Sequence, residues 1–140
     1  DKCEKYVYDA NARMDDRWRF TCEVHDMLDG PIERSFDGAY ALDVIEHVHS
    51  AGEHRFIGNI AASLSANGIL IIGTPSVQSQ RYASPLSVAD HINCKDEDGL
   101  RELLGRYFDQ IFIFGMNDEV LHTGFSPMSH YLFALCCHKI

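Results

Sequence analysis

Asp43, Glu46 and His47 stand within the run YALDVIEHVHS, at relative positions i, i+3 and i+4. On a helix these positions share one face, so two carboxylates and an imidazole could meet one ion. The same Glu46–His47 pair could instead move a proton or orient a substrate, since histidine and glutamate are common general acids and bases. A third reading is structural: the pair hydrogen-bonds a neighbouring loop and shapes a pocket. His49 and His54, farther along the same run of chain, read as solvated surface.

The elements that must carry these residues follow from patterning. The chain of 140 residues is one domain's worth, and no apolar run reaches the roughly 18 residues of a membrane span. The opening DKCEKYVYDA carries no signal-peptide apolar region, and a cytoplasmic location is the expectation. A formal charge of −9 argues against binding a phosphate backbone, which needs clustered Lys and Arg. The five cysteines include no C-x-x-C pair, which predicts buried free thiols in a reducing compartment.

Residues 2–14 have helical periodicity. RWRFTCEV alternates strictly and predicts a strand with one solvated face. Residues 39–42 (AYAL) form a short apolar strand, after which Ser50 and Glu53 read as a capping box. The helix it opens has the buried stripe Phe56, Ile57, Ile60, Ala61 and Leu64, and Asn67–Gly68 is placed to end it in a left-handed cap. ILIIG (69–73) is apolar on both faces, as in a central strand covered on both sides. A long Ser- and Pro-rich loop follows, then a helix over 95–108 and strands at 110–115 and 130–139. No helix separates those last two strands, so they should pair antiparallel.

FDGAYALDVIEHV followed by LSANGILIIGTPS resembles the class I S-adenosylmethionine-dependent methyltransferases, from their fourth strand to the T-P end of their fifth. The closing QIFIFG and HYLFALCC are similar to the family's sixth and seventh strands. The resemblance implies an α/β fold: a Rossmann-like methyltransferase sheet, N-terminally truncated, mostly parallel, with a C-terminal antiparallel hairpin. Residues 1–140 would form a single partial methyltransferase domain. The family's sheet order is 3-2-1-4-5-7-6, and its glycine-rich cofactor loop follows the first strand. This sequence contains no G-x-G-x-G. It therefore reads as a fragment, or as a degenerate relative, with part of the cofactor site missing. RFTCEV would then lack its usual neighbours, which predicts a homodimer through an exposed strand edge or a rearranged sheet.

The resemblance also implies residue roles. Asp26 and Met27 would contact the adenine of S-adenosylmethionine, and the backbone of Ala41 and Leu42 would lie beside its methionine moiety. The D-x-x-E-H motif is similar to the E-x-x-E-H of methyltransferases that modify ubiquinone precursors or the 2′-hydroxyl of small-RNA ends. There the cluster and a later histidine hold a divalent cation. Here Asp43, Glu46, His47 and His91 would be the metal set, with Mg²⁺ or Mn²⁺ suited to mixed carboxylate and imidazole donors. Asp43 is one methylene shorter than the family's glutamate. Glu46 and His47 are the candidate catalytic residues, and His122 lies in a loop that faces substrate in the family. The implied function is methyl transfer to a small-molecule acceptor, with no membrane partner. A non-catalytic methyltransferase-like domain is one alternative. An RNA-end 2′-O-methyltransferase is another, which the −9 charge disfavours.

Overall fold

The computed structural model describes residues 4–13, 17 and 20–140. In chain order it contains α1 (Glu4–Ala12), β1 (Phe36–Leu42), a 3₁₀ turn (Ile45–His47), α2 (Ser50–Ala62) and β2 (Leu64–Pro75). A second 3₁₀ segment (Val77–Tyr82), α3 (Pro85–Asp90) and α4 (Glu97–Leu104) follow. The chain ends with β3 (Phe108–Asn117), β4 (Val120–His122), a 3₁₀ turn (Ser126–Met128) and β5 (Tyr131–Lys139). Among the described residues, no helix is long and apolar enough to cross a membrane.

The five strands form one sheet in the order β1-β2-β5-β3-β4. β1 and β2 pair parallel, while β5 lies antiparallel between β2 and β3, and β4 runs antiparallel to β3. The first four positions reproduce the expected order fourth, fifth, seventh, sixth. β1, β2 and β3 point the same way, so most strands share a direction, although only one ladder is parallel. The antiparallel β3/β5 hairpin is present as expected. β4 adds a strand that the loop sequence did not announce.

Cross-strand rows show how the sheet is built. Ala39, Leu70, Cys136 and Ile111 form one row, and Ala41, Ile72, Ala134 and Ile113 the next on the same face. These rows belong to the core with Phe56, Ile57 and Ile60 of α2 and Leu100, Leu103 and Leu104 of α4. The alanines and cysteine leave room for the helices to approach, while the branched residues fill the space between them. Cys136 is buried and its neighbour Cys137 is not, as opposite faces of a strand require.

Several local expectations are corrected. Residues 20–26 have no regular secondary structure, and Trp18 and Arg19 of the expected strand lie outside the described residues. What holds this stretch is polar: Asn11 donates to and accepts from the Cys22 backbone at 2.9 and 3.1 Å. Alternation shows that a segment could be a strand; only a neighbour with free backbone groups makes it one. Among the described residues no strand pairs with the outer side of β1.

The capping box is not formed. His49 caps α2 by accepting from the Ala51 amide, and Glu53 turns to Lys95 and Asn93 instead. A charged partner holds a carboxylate more strongly than a lone backbone amide does. Asn67–Gly68 does not cap α2 either, since the helix ends at Ala62. Phe36 pairs with Leu64 and Gly38 with Ile69, so residues 65–68 form an irregularity in the ladder. Gly68 is needed for closeness: a Cβ there would stand 2.9 Å from Leu64 Cβ and 3.1 Å from the Phe36 carbonyl oxygen.

Candidate active site at the carboxyl ends of the strands

β1 ends at Leu42, and the next residue turns sharply: Asp43 has φ 54°, in the left-handed region that aspartate tolerates better than most residues. Its amide donates to the Gly73 carbonyl at 3.1 Å and to Tyr131 Oη at 3.2 Å. The Tyr131 ring reaches this position because residue 73 has no side chain. A Cβ on Gly73 would meet Tyr131 Oη at 2.7 Å and Leu42 Cδ2 at 2.8 Å. Burial, and then the Asp43 charge, push the Tyr131 hydroxyl far above its ordinary pKa, so it stays protonated.

The helical turn begins only at Ile45 and is 3₁₀. Asp43 therefore precedes it and does not share a face with Glu46 and His47. Among the described residues, the acids and imidazoles whose ligating atoms converge are Glu46, His47 and His91, all within 4.8 Å of one another. Asp43 of the expected four-residue set lies outside this group, at the left-handed turn before the 3₁₀ segment, with its charge still acting on Glu46.

Glu46 is completely buried. One carboxylate oxygen accepts from Thr74 Oγ1 at 3.3 Å, at the end of β2. The other, Oε1, has no hydrogen-bond partner. Burial dominates and raises the Glu46 carboxyl above its ordinary range, against smaller lowering contributions that include His47.

His47 Nδ1 is 3.0 Å from the Asp90 carbonyl oxygen, and His91 Nδ1 is 3.0 Å from Gln80 Oε1. Both partners are acceptors, so the tautomer that satisfies them has Nδ1 donating in each ring and leaves Nε2 as the acceptor nitrogen. His47 Nε2 lies 3.9 Å from Glu46 Oε1. The two rings meet edge to face, with centroids 5.2 Å apart. A ligating atom of each imidazole and of Glu46, whose buried Oε1 has no hydrogen-bond partner, thus lie within 4.8 Å of one another. They could share a proton or hold a cation.

Asp26 and Met27, expected at the adenine, make local and core contacts. Asp26 Oδ1 accepts from the Leu28 amide at 2.9 Å, closing a local turn, and the Met27 carbonyl accepts from Asn59 of α2 at 2.6 Å. Met27 packs against the core and lines a cavity of about 800 Å³ together with Phe20, Cys22, His25, Ile32 and Phe36. Phe36 starts β1, so this cavity opens at the end of the strand opposite Asp43. Ala41 is half-buried over the core face, and Leu42 is exposed beside Gly73. Thr74, Gln80, Asn93 and Tyr131 complete the site's hydrogen bonding. Only Thr74 carried a signal, as part of the T-P ending of β2.

No family model and no curated protein matches this sequence. Among solved structures, the chain is similar to an S-adenosylmethionine-dependent methyltransferase of Thermotoga maritima, with TM-score 0.78 and 14% identity over 99% of this chain and 71% of that one. It is similar to the N-methyltransferase NodS of Bradyrhizobium japonicum in complex with S-adenosyl-L-homocysteine, with TM-score 0.68 and 16% identity over 99% of this chain and 64% of NodS. The CurJ carbon methyltransferase aligns with TM-score 0.71 and 12% identity, over all of this chain and 40% of its own. The chain thus spans between two-fifths and about seven-tenths of these proteins. It has the Rossmann-like fold of the class I S-adenosylmethionine-dependent methyltransferases.

Proposed function

We propose that the chain takes part in methyl transfer from S-adenosylmethionine to a small-molecule acceptor. The observation that carries this reading is the gathering of Glu46, His47 and His91, with Thr74 on the Glu46 carboxylate, beside the carboxyl ends of β1 and β2 in a sheet of the methyltransferase order. Open α/β sheets bind ligands at these ends. The transfer is an in-line displacement: the acceptor atom bonds to the methyl carbon, the carbon–sulfur bond breaks, and the sulfonium becomes a neutral thioether. Alignment supplies most of the rate, and an acceptor hydroxyl or amine must also lose one proton. His47 Nε2 has the free lone pair to take it, and Glu46 beside it would stabilise the resulting imidazolium. The backbone of Ala41, Leu42 and Asp43 would border the cofactor.

The similar proteins include nitrogen and carbon methyltransferases, so the acceptor atom is set by groups outside the shared fold. Titration with S-adenosylhomocysteine, followed by amide NMR, tests the reading. Shifts at Asp43, Val44, Thr74 and Ser76 are expected. No shift at these amides at millimolar ligand would overturn it and leave a non-catalytic relative. In this reading a second copy of the chain pairs across the outer edge of β1, and a monomer by light scattering would remove that partner.

A second reading has its own observation, the unpartnered Glu46 Oε1 on a carboxylate clustered with the imidazoles of His47 and His91. These donors fit a divalent cation such as Mg²⁺ or Mn²⁺, held by Glu46, His47 and His91 without Asp43. A bound cation would lower the pKa of an acceptor hydroxyl. Mn²⁺ binding followed by electron paramagnetic resonance should be saturable and lost in Glu46→Gln. Equal binding by both proteins would exclude the site.

A further inference from the structure

A buried polar ring lies behind the histidine cluster. Glu53 of α2 and Lys95 form an ion pair at 2.7 Å, both largely buried. Asn93, also buried, sits between them: its Nδ2 donates to Glu53 Oε2 at 2.7 Å and its Oδ1 accepts from Lys95 Nζ at 2.9 Å. Burial works to raise the Glu53 carboxyl, yet the hydrogen bonds from Lys95 and Asn93 and the Lys95 charge bring it below its ordinary range. Each charge in the ring is therefore satisfied.

Net stability is a weak reason for such a ring, because an apolar set of similar volume often does as well. Its connections suggest geometry instead. The Asn93 amide donates to the Glu46 carbonyl at 3.0 Å. Three residues earlier, the Asp90 carbonyl accepts from His47 Nδ1. The Lys95 carbonyl accepts from the Val77 amide at 2.9 Å, just past the end of β2. Segment 90–95 is thus stitched to the 3₁₀ turn on both sides of His91, and the ring fastens that segment to α2.

We propose that Asn93 is a positioning residue for the Glu46–His47–His91 cluster: it registers the His91 segment against the 3₁₀ turn, with the Glu53–Lys95 pair as its anchor. This rests on reading that cluster as the reacting centre, but its test does not use the cofactor. In the wild-type protein, NMR should show a nuclear Overhauser contact between the His47 and His91 rings. Asn93→Ala should lose that contact while the protein stays folded. Lys95→Gln, a milder change that keeps the side chain's apolar stem, should weaken it in the same direction. Ile60→Val, a core change on α2, should lower the melting temperature and keep the contact. An intact contact in Asn93→Ala, or its equal loss in Ile60→Val, would overturn the proposal. If the contact behaves as expected but S-adenosylhomocysteine causes no shifts, the positioning role stands and the methyl-transfer reading fails.

Discussion

The two faces of the sheet use the same strands and nearly the same residue types, yet they end in different environments. On one face Leu70, Ile72, Ala134 and Cys136 are fully buried beneath α2 and α4. On the other, Tyr40, Ile71, Leu135 and Phe112 form a row, and Leu42, Gly73, Phe133 and Phe114 the next. That face stays partly open: Tyr40 is 76% exposed, Phe112 50% and Leu42 41%. An apolar strand states that both faces can be covered, but not which element covers each. The amphipathic stripes of α2 and α4 supply one answer, and the opposite face keeps the composition of a core with only partial burial.

Four substitutions probe this contrast. Leu100→Ala, beneath the covered face, should cost about 2–5 kcal/mol in urea unfolding, because it leaves a cavity that α4 cannot close. A cost as small as that of a surface change would break the comparison. Gly73→Ala inserts a methyl where the Tyr131 ring lies and should cost about 1–3 kcal/mol through overpacking. It should also shift the Asp43 amide resonance, which tests whether the open face shapes the site.

Glu46→Gln concerns the acid that is fully buried behind the site. The folded-state pKa of Glu46 is raised, so its contribution to stability is present below the ordinary carboxylate range and lost as pH rises through the raised value. The variant should therefore gain stability relative to wild type as pH rises through that interval, with a constant difference above it. A pH-independent difference would refute the burial of an ionising Glu46. The smallest effect should come from Tyr40→Thr on the open face, within about 0.5 kcal/mol. Binding of a hydrophobic dye should fall with it. A loss comparable to Leu100→Ala would mean that Tyr40 is covered in solution.

The strands around Ala39–Leu42, Ile69–Gly73 and 130–139, and the helix carrying Leu100, Leu103 and Leu104, were legible because burial imposes a period on the side chains. RFTCEV had an equally good period, yet its described residues 20–24 have no pairing, since a ladder depends on a partner elsewhere in the chain. Ser50 and Glu53 had the spacing of a capping box, but Lys95 outcompeted the local amide. In the site, Glu46 and His47 were found as neighbours and His91 through a resemblance. Asp43 was joined to them by helical spacing, whereas the backbone turns left-handed there and the 3₁₀ turn starts at Ile45. Tyr131, 88 residues from its Asp43 partner, and Asn93, 40 from Glu53, left no local trace.

By itself the sequence determined the alternation of strand and helix, the antiparallel ending and the pairing of a carboxylate with an imidazole just after a strand. These follow from periodicity and from residues adjacent in the chain. Packing alone brings His91 to the Glu46–His47 pair, gives each imidazole Nδ1 an acceptor, and joins segment 90–95 to α2 through Glu53, Asn93 and Lys95. Those outcomes depend on hydrogen bonds between distant segments and on the burial of Glu46, and neither exists until the sheet and helices have packed.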